Sequence, residues 1–129
     1  MSKGLVSFDF DETLSTYRGM EYAKELIERG YEVWINTARF ENPRNDLFGI
    51  NNDYLFKLAK KAGIHKDHII FMDQVAKYHF FKIHNDFIFH LDDSYEEISM
   101  INKEKDVKGV WFVGSTWKPE CEELLLMAP

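Results

Sequence analysis

The sequence predicts a doubly wound α/β fold: a mostly parallel, five-stranded, Rossmann-like sheet between two helical layers. Three observations lead there. Short apolar runs alternate along the chain with segments of helical periodicity. The runs are apolar almost throughout, as strands covered on both faces are. Polar residues then gather where the runs end, the edge at which such sheets bind ligands near the point where strand order reverses.

Leu5–Phe10 is the first apolar run, interrupted by Asp9. Between Gly19 and Gly30, Met20, Ala23, Leu26 and Ile27 keep helical spacing, Glu25 and Arg29 form an i,i+4 pair, and Gly30 stops the helix. Tyr31–Asn36 is the second strand, followed by a long loop, Phe40–Ile50, that contains Asn42-Pro43. Leu55, Leu58, Ala59 and Ala62 repeat at i, i+3, i+4 and i+7, and Gly63 closes that helix. Ile69–Met72 is a third strand, Val75–His84 a shorter helix and Phe87–Leu91 a fourth strand. Ser94 with Glu97 reads as a capping box opening a helix through about Asn102. Val107–Val113 is the fifth strand, and Pro119 suits the first position of a last helix through Met127. Right-handed crossovers join these units into a three-layer sandwich.

The chain has 129 residues, which predicts one domain over 1–129. Its 45% hydrophobic and 16% aromatic content supplies one core and excludes a disordered chain. A net charge of −6 argues against indiscriminate nucleic-acid binding but not against a phosphorylated substrate. Cys121 is single, so no internal disulfide forms, and it is read as a half-buried helix position. The first residues contain no secretory apolar region and no run is long enough to span a bilayer. A soluble, cytoplasmic protein without membrane contact is the expectation.

The chemistry is concentrated at strand ends. The first strand ends in Asp9-Phe10-Asp11-Glu12-Thr13, the second in Asn36-Thr37-Ala38-Arg39 and the fourth in Asp92-Asp93, while Lys77 opens the helix after the third. Clustered carboxylates raise one another's pKa unless a cation neutralises them. Magnesium is the economical cation, because it takes few protein oxygens and completes its shell with water and phosphate oxygens.

Asp9–Thr13 resembles the DxDxT signature of haloacid-dehalogenase-type phosphatases, and the later groups match that family's other motifs in order, over residues 9 to 93. The resemblance implies that Asp9 is the nucleophile of an aspartyl-phosphate mechanism and Asp11 the general acid and base. Thr37 and Lys77 would hold the phosphoryl oxygens. Magnesium would be bound by Asp9, the Asp11 carbonyl and Asp92, with Asp93 a ligand or its neighbour. Lys82 is the alternative to Lys77 as the motif lysine. Position 12 is Glu where many relatives carry Gly.

On the substrate-binding side stand Thr13, which would brace the nucleophile loop, and Arg39 and Arg44, candidate contacts to substrate. Thr37-Ala38-Arg39 resembles the Ser/Thr-x-Arg of polynucleotide 3′-phosphatases. Leu14 to Glu21 is too short for a cap insertion, and residues 40–76 are needed by the core. A capless site would be open and suit a large substrate, such as a polynucleotide 3′-phosphate. Phosphoprotein or nucleotide phosphatases are the alternatives, and a non-catalytic assembly protein on the same scaffold is the alternative class.

A receiver-type phosphoacceptor is disfavoured by motif order, since Asp73 after the third strand lacks the required surroundings. His65 and His68 have i,i+3 spacing but no third ligand nearby. His79, His84 and His90 are read as packing or hydrogen-bonding locally, and Trp111, Phe112 and Trp117 as core.

Overall fold

The computed structural model describes residues 2–43 and 51–129. Its strands are β1 (Leu5–Phe8), β2 (Glu32–Thr37), β3 (Ile69–Phe71), β4 (Phe87–Asp92) and β5 (Lys108–Trp111). They form one sheet in the order β3-β2-β1-β4-β5, and every neighbouring pair is parallel. The expected architecture is therefore present, with a sheet that is wholly rather than mostly parallel. The helices are α1 (Tyr17–Glu28), α2 (Asp53–Ala62), α3 (Tyr78–Ile83), α4 (Tyr95–Glu104) and α5 (Trp117–Met127). No helix among the described residues is long and apolar enough to cross a membrane.

Strand order reverses between β1 and β4, and the reversal divides the helices. Val6 and Phe8 of β1 and Phe89 and Leu91 of β4 join Leu26 of α1, Leu55 of α2 and Cys121 of α5 in one core. A smaller core on the opposite face unites Phe81 of α3, Ile101 of α4, Phe87 and Val107. Side chains alternate along a strand, so Ser7 and His90 face this second core, with the His90 ring 5.0 Å from that of Phe81.

The boundaries depart from the sequence expectation in informative ways. β1 stops at Phe8 because the backbone turns over Phe10–Leu14, where Leu14 N–H bonds the Asp9 carbonyl and Glu12 takes φ 61°. α1 starts ahead of Gly19, since the Thr16 hydroxyl caps it by accepting from Gly19 N–H. The segment before α3 turns through positive φ at Asp73 and Gln74, whose N–H groups bond the Arg39 and Ala38 carbonyls. Gly63 ends α2 at φ 91°, a left-handed position that glycine occupies without strain. Pro119 is the third residue of α5 rather than the first, still within the turn whose N–H groups have no helical partner. Only half of the expected capping box forms. Ser94 accepts from Glu97 N–H, but the Glu97 carboxylate accepts from Lys77 N–H, tying the start of α4 to the start of α3.

Two contacts hold α1 in place. Glu122 of α5 accepts from Tyr22 Oη at 2.6 Å and from Arg29 at 3.0 Å. Burial alone would raise its carboxyl pKa, but these bonds hold it below the ordinary value of 4.5. At its other end α1 presses Gly19 against the Phe10–Leu14 turn, so closely that a Cβ there would overlap the Thr13 carbonyl oxygen.

Gly19→Ala is therefore expected to destabilise the fold by about 2 kcal/mol, read as a lower denaturant midpoint with an unchanged slope. A lowered native pKa adds stability above the unfolded value, and that stability is lost as pH falls through the native one. Glu122→Gln should be less stable at pH 7 by under about 1 kcal/mol, given its solvent exposure. It should also lose less stability than wild type on acidification below about pH 4.5, in thermal melts across that range.

Candidate functional site

The two central strands, β1 and β4, deliver the chemistry. Asp9 is the first residue beyond β1 and Asp92 the last of β4, so both lie at the carboxyl edge beside the strand-order reversal. Between them sits Lys77, the residue preceding α3. Its ammonium donates to Asp9 Oδ1 at 2.7 Å and to Asp92 Oδ2 at 2.6 Å. Lys77 is 2% exposed, Asp92 1% and Asp9 6%, so this is an ion cluster largely out of water. Lys82 is exposed on α3 and takes no part.

One ammonium cannot neutralise two carboxylates, and their surroundings divide them. Asp92 accepts additionally from His90 Nε2 at 2.8 Å and, on Oδ1, from Ser94 N–H at 3.0 Å. Burial alone would raise its pKa, but His90 and Lys77 hold it well below the usual carboxylate range. Complete burial lowers the pKa of His90 itself, against the pull of its hydrogen bond to Asp92. Among the described residues, Asp9 accepts only from Lys77 and, over a longer 3.3 Å, from Thr13 Oγ1. Its pKa is pushed up to about 8, chiefly by burial and further by Asp92, against the pull of Lys77. Burial opposes the charge on Lys77 as well, yet Asp9 and Asp92 outweigh it and raise its pKa.

Asp93 adds a third carboxylate, exposed, with ligand oxygens of Asp9, Asp92 and Asp93 all within 4.8 Å of one another. Its carbonyl accepts from Trp111 Nε1–H, and Trp111 is 40% exposed rather than core. The donor set is oxygen-only and anionic, with more negative charge than Lys77 can offset. Those are the features a hard divalent cation such as magnesium requires.

The cluster opens into a cleft of about 460 Å³ whose lining includes Asp9, Asp11, Glu12, Lys77, Asp93 and Glu97. At its mouth Asp11 is clamped by Arg39, whose Nη2 and Nε donate to the two carboxylate oxygens at 2.8 and 2.9 Å. Arg39 also lies over the Phe10 ring and donates to the Asn51 carbonyl and to Asn52 Oδ1. Thr37 and Thr13 are fully buried behind the cleft. Thr37 Oγ1 accepts from Arg39 N–H and so shapes the turn that carries the guanidinium, while Thr13 braces Asp9. Glu12 holds a left-handed backbone at the rim, the conformation for which glycine is suited. Arg44 lies outside the described residues.

The sequence reading missed His90, Ser7 and Glu97 as parts of this site. Ser7 precedes Asp9 by two residues and His90 precedes Asp92 by two, the spacing that puts strand residues on one face. Of the other candidates, His68 stacks on Trp34 and pairs with Glu32, and His65 caps its own turn by accepting from Asp67 N–H. Cys121 is buried, which pushes its thiol pKa up.

Lys77→Met keeps much of the volume but leaves Asp9 and Asp92 facing each other. The expected loss is about 3 kcal/mol or more at pH 7, measured by urea denaturation with metal-free protein.

No family model matches the chain, and no curated protein matches it. Its fold is similar to that of an uncharacterized protein from Corynebacterium glutamicum ATCC 13032 Kitasato, known from a crystal structure. The TM-score is 0.69 over 96% of each chain at 12% identity, a likeness of fold alone.

Proposed function

We propose that this chain is a magnesium-dependent phosphohydrolase of the haloacid-dehalogenase type, with Asp9 as covalent nucleophile. The observation that carries the reading is the buried Asp9–Lys77–Asp92 cluster, with Asp93 beside it, at the carboxyl edge of a parallel sheet. Magnesium held by Asp9, Asp92, Asp93 and the Asp11 carbonyl would neutralise the carboxylates and polarise the phosphoryl oxygens.

An Asp9 carboxylate oxygen attacks phosphorus, and the bond from phosphorus to the leaving oxygen breaks. That oxygen departs with the electron pair and takes a proton from Asp11. Water then attacks the aspartyl-phosphate at phosphorus while Asp11 takes a proton from it. The Asp9–phosphorus link breaks, inorganic phosphate leaves and both acids return to their starting forms. Lys77 touches Asp9 Oδ1, where it holds the nucleophile in one orientation and offsets charge gathering on the phosphoryl group.

With both oxygens accepting from Arg39, Asp11 has no proton to give. Arg39 must therefore leave Asp11 as substrate enters, drawn to the same forked geometry on the phosphoryl oxygens, and Asp11 takes up from solvent the proton it then gives to the leaving oxygen. The open cleft suits a large substrate, a polynucleotide 3′-phosphate first and a phosphoprotein or nucleotide second.

Phosphate release should be measured for wild type and Asp9→Asn with and without EDTA. The substrates are p-nitrophenyl phosphate, 3′- and 5′-phosphorylated oligonucleotides, mononucleotides and phosphopeptides. Release that falls by about 10³-fold or more in the variant, and that EDTA abolishes, is the expected result; the best substrate names the class. No release from any substrate by folded wild type in millimolar magnesium would sink the phosphatase reading in favour of an assembly protein.

A further inference from the structure

A polar chain runs inward from the site into the second core, and nothing in the proposed reaction accounts for it. His90 Nε2 lies 2.8 Å from Asp92 Oδ2, and His90 Nδ1 lies 2.8 Å from Ser7 Oγ. His90 is 0% exposed and Ser7 1%, among neighbours that include the Phe81 ring. Polar groups buried this deeply are retained only when every one of them is satisfied.

The bonding fixes the tautomer. Asp92 Oδ2 already accepts from the Lys77 ammonium and has no hydrogen to give, so Nε2 carries the hydrogen and donates it. The Ser7 hydroxyl has no other acceptor among the described residues, so it donates to Nδ1, which is the bare nitrogen. Ser7 lies on β1 and His90 on β4, adjacent strands whose register pairs these two residues directly. The relay therefore joins the strand that delivers Asp9 to the strand that delivers Asp92.

We infer that His90, oriented by Ser7, is the positioning residue for Asp92, fixing which of its oxygens is left to a metal ion. Oδ2 is occupied by Lys77 and His90 together, whereas Oδ1 meets a single backbone N–H, from Ser94. Among the described residues, the acceptor capacity left unused is thus on Oδ1. Without the His90 hydrogen bond the carboxylate is free to rotate and exchange its oxygens between Lys77 and the cation. Groups behind a ligand that orient it in this way commonly govern metal affinity by 10- to 100-fold. The inference rests on the proposed reading of Asp92 as a magnesium ligand, but it concerns a residue with no contact to substrate.

Two variants separate positioning from packing. Gln and Met are close in shape, yet only Gln places a donor near the position of Nε2. Magnesium binding should be measured by titration calorimetry on wild type, His90→Gln and His90→Met, with circular dichroism reporting the fold. The expected result is His90→Gln within about threefold of wild type and His90→Met weaker by about 10- to 100-fold. Nitrogen-15 NMR of the wild-type ring should show the tautomer with hydrogen on Nε2, a readout that stands even if both variants unfold. Equal affinities for the two variants while wild type binds, or a wild-type ring with its hydrogen on Nδ1, would overturn the inference alone. Folded wild type giving no binding heat would overturn the metal reading, and this inference with it.

Discussion

A single buried ammonium between two carboxylates organises this molecule. Lys77 reaches Asp9 and Asp92 from a helix start that belongs to neither strand, and so binds β1, β4 and α3 into one unit. Charges this deep persist only when paired and hydrogen-bonded. Much of the surrounding structure can be read as meeting that condition: the Thr13 hydroxyl behind Asp9, the Ser94 amide and His90 around Asp92, and the Glu97 carboxylate accepting from the Lys77 backbone.

The fold supplies the address for this cluster. Reversal of strand order opens a space between the crossovers at the carboxyl edge, where β1 and β4 end side by side. The apolar side chains that build the larger core alternate with the polar ones that lead to the cluster. Phe8 and Leu91 turn toward α1, α2 and α5, while Ser7 and His90 turn toward α3. One pair of strands thus provides the floor of the protein and the wiring of its site.

How much was legible beforehand follows from what each feature depends on. The alternation of apolar runs and helical spacing is a local property, and it gave each of β1–β5 and α1–α5 to within a few residues. The gathering of Asp9, Asp11, Lys77, Asp92 and Asp93 follows from the placement of motifs at strand ends. The later start of α3 came from a turn closed by hydrogen bonds between distant residues, such as the Gln74 amide on the Ala38 carbonyl. Glu97 looked like half of a capping box because its distant competitor, Lys77 N–H, is invisible in sequence. The alternation that exposes Ser7 and His90 is present in the sequence, but a histidine on an apolar strand reads equally as one that packs or hydrogen-bonds locally. The partner of Arg39 was hidden too, since no pattern tells a guanidinium that will meet substrate from one that already holds Asp11.

That pairing bears on how long a small anion stays. Arg39 is occupied by both oxygens of Asp11 in the forked arrangement a phosphate would use, and is backed by Phe10, Asn51 and Asn52. An incoming anion gains only the difference between two similar partners. A free phosphate has little else to gain, whereas a larger ligand adds contacts along the open cleft. On the proposed reading, Asp11 closes again on Arg39 once the aspartyl-phosphate is hydrolysed and Asp11 has given up its proton, and the liberated phosphate is exchanged out. The resting ion pair would then be what spares the enzyme from inhibition by its own product.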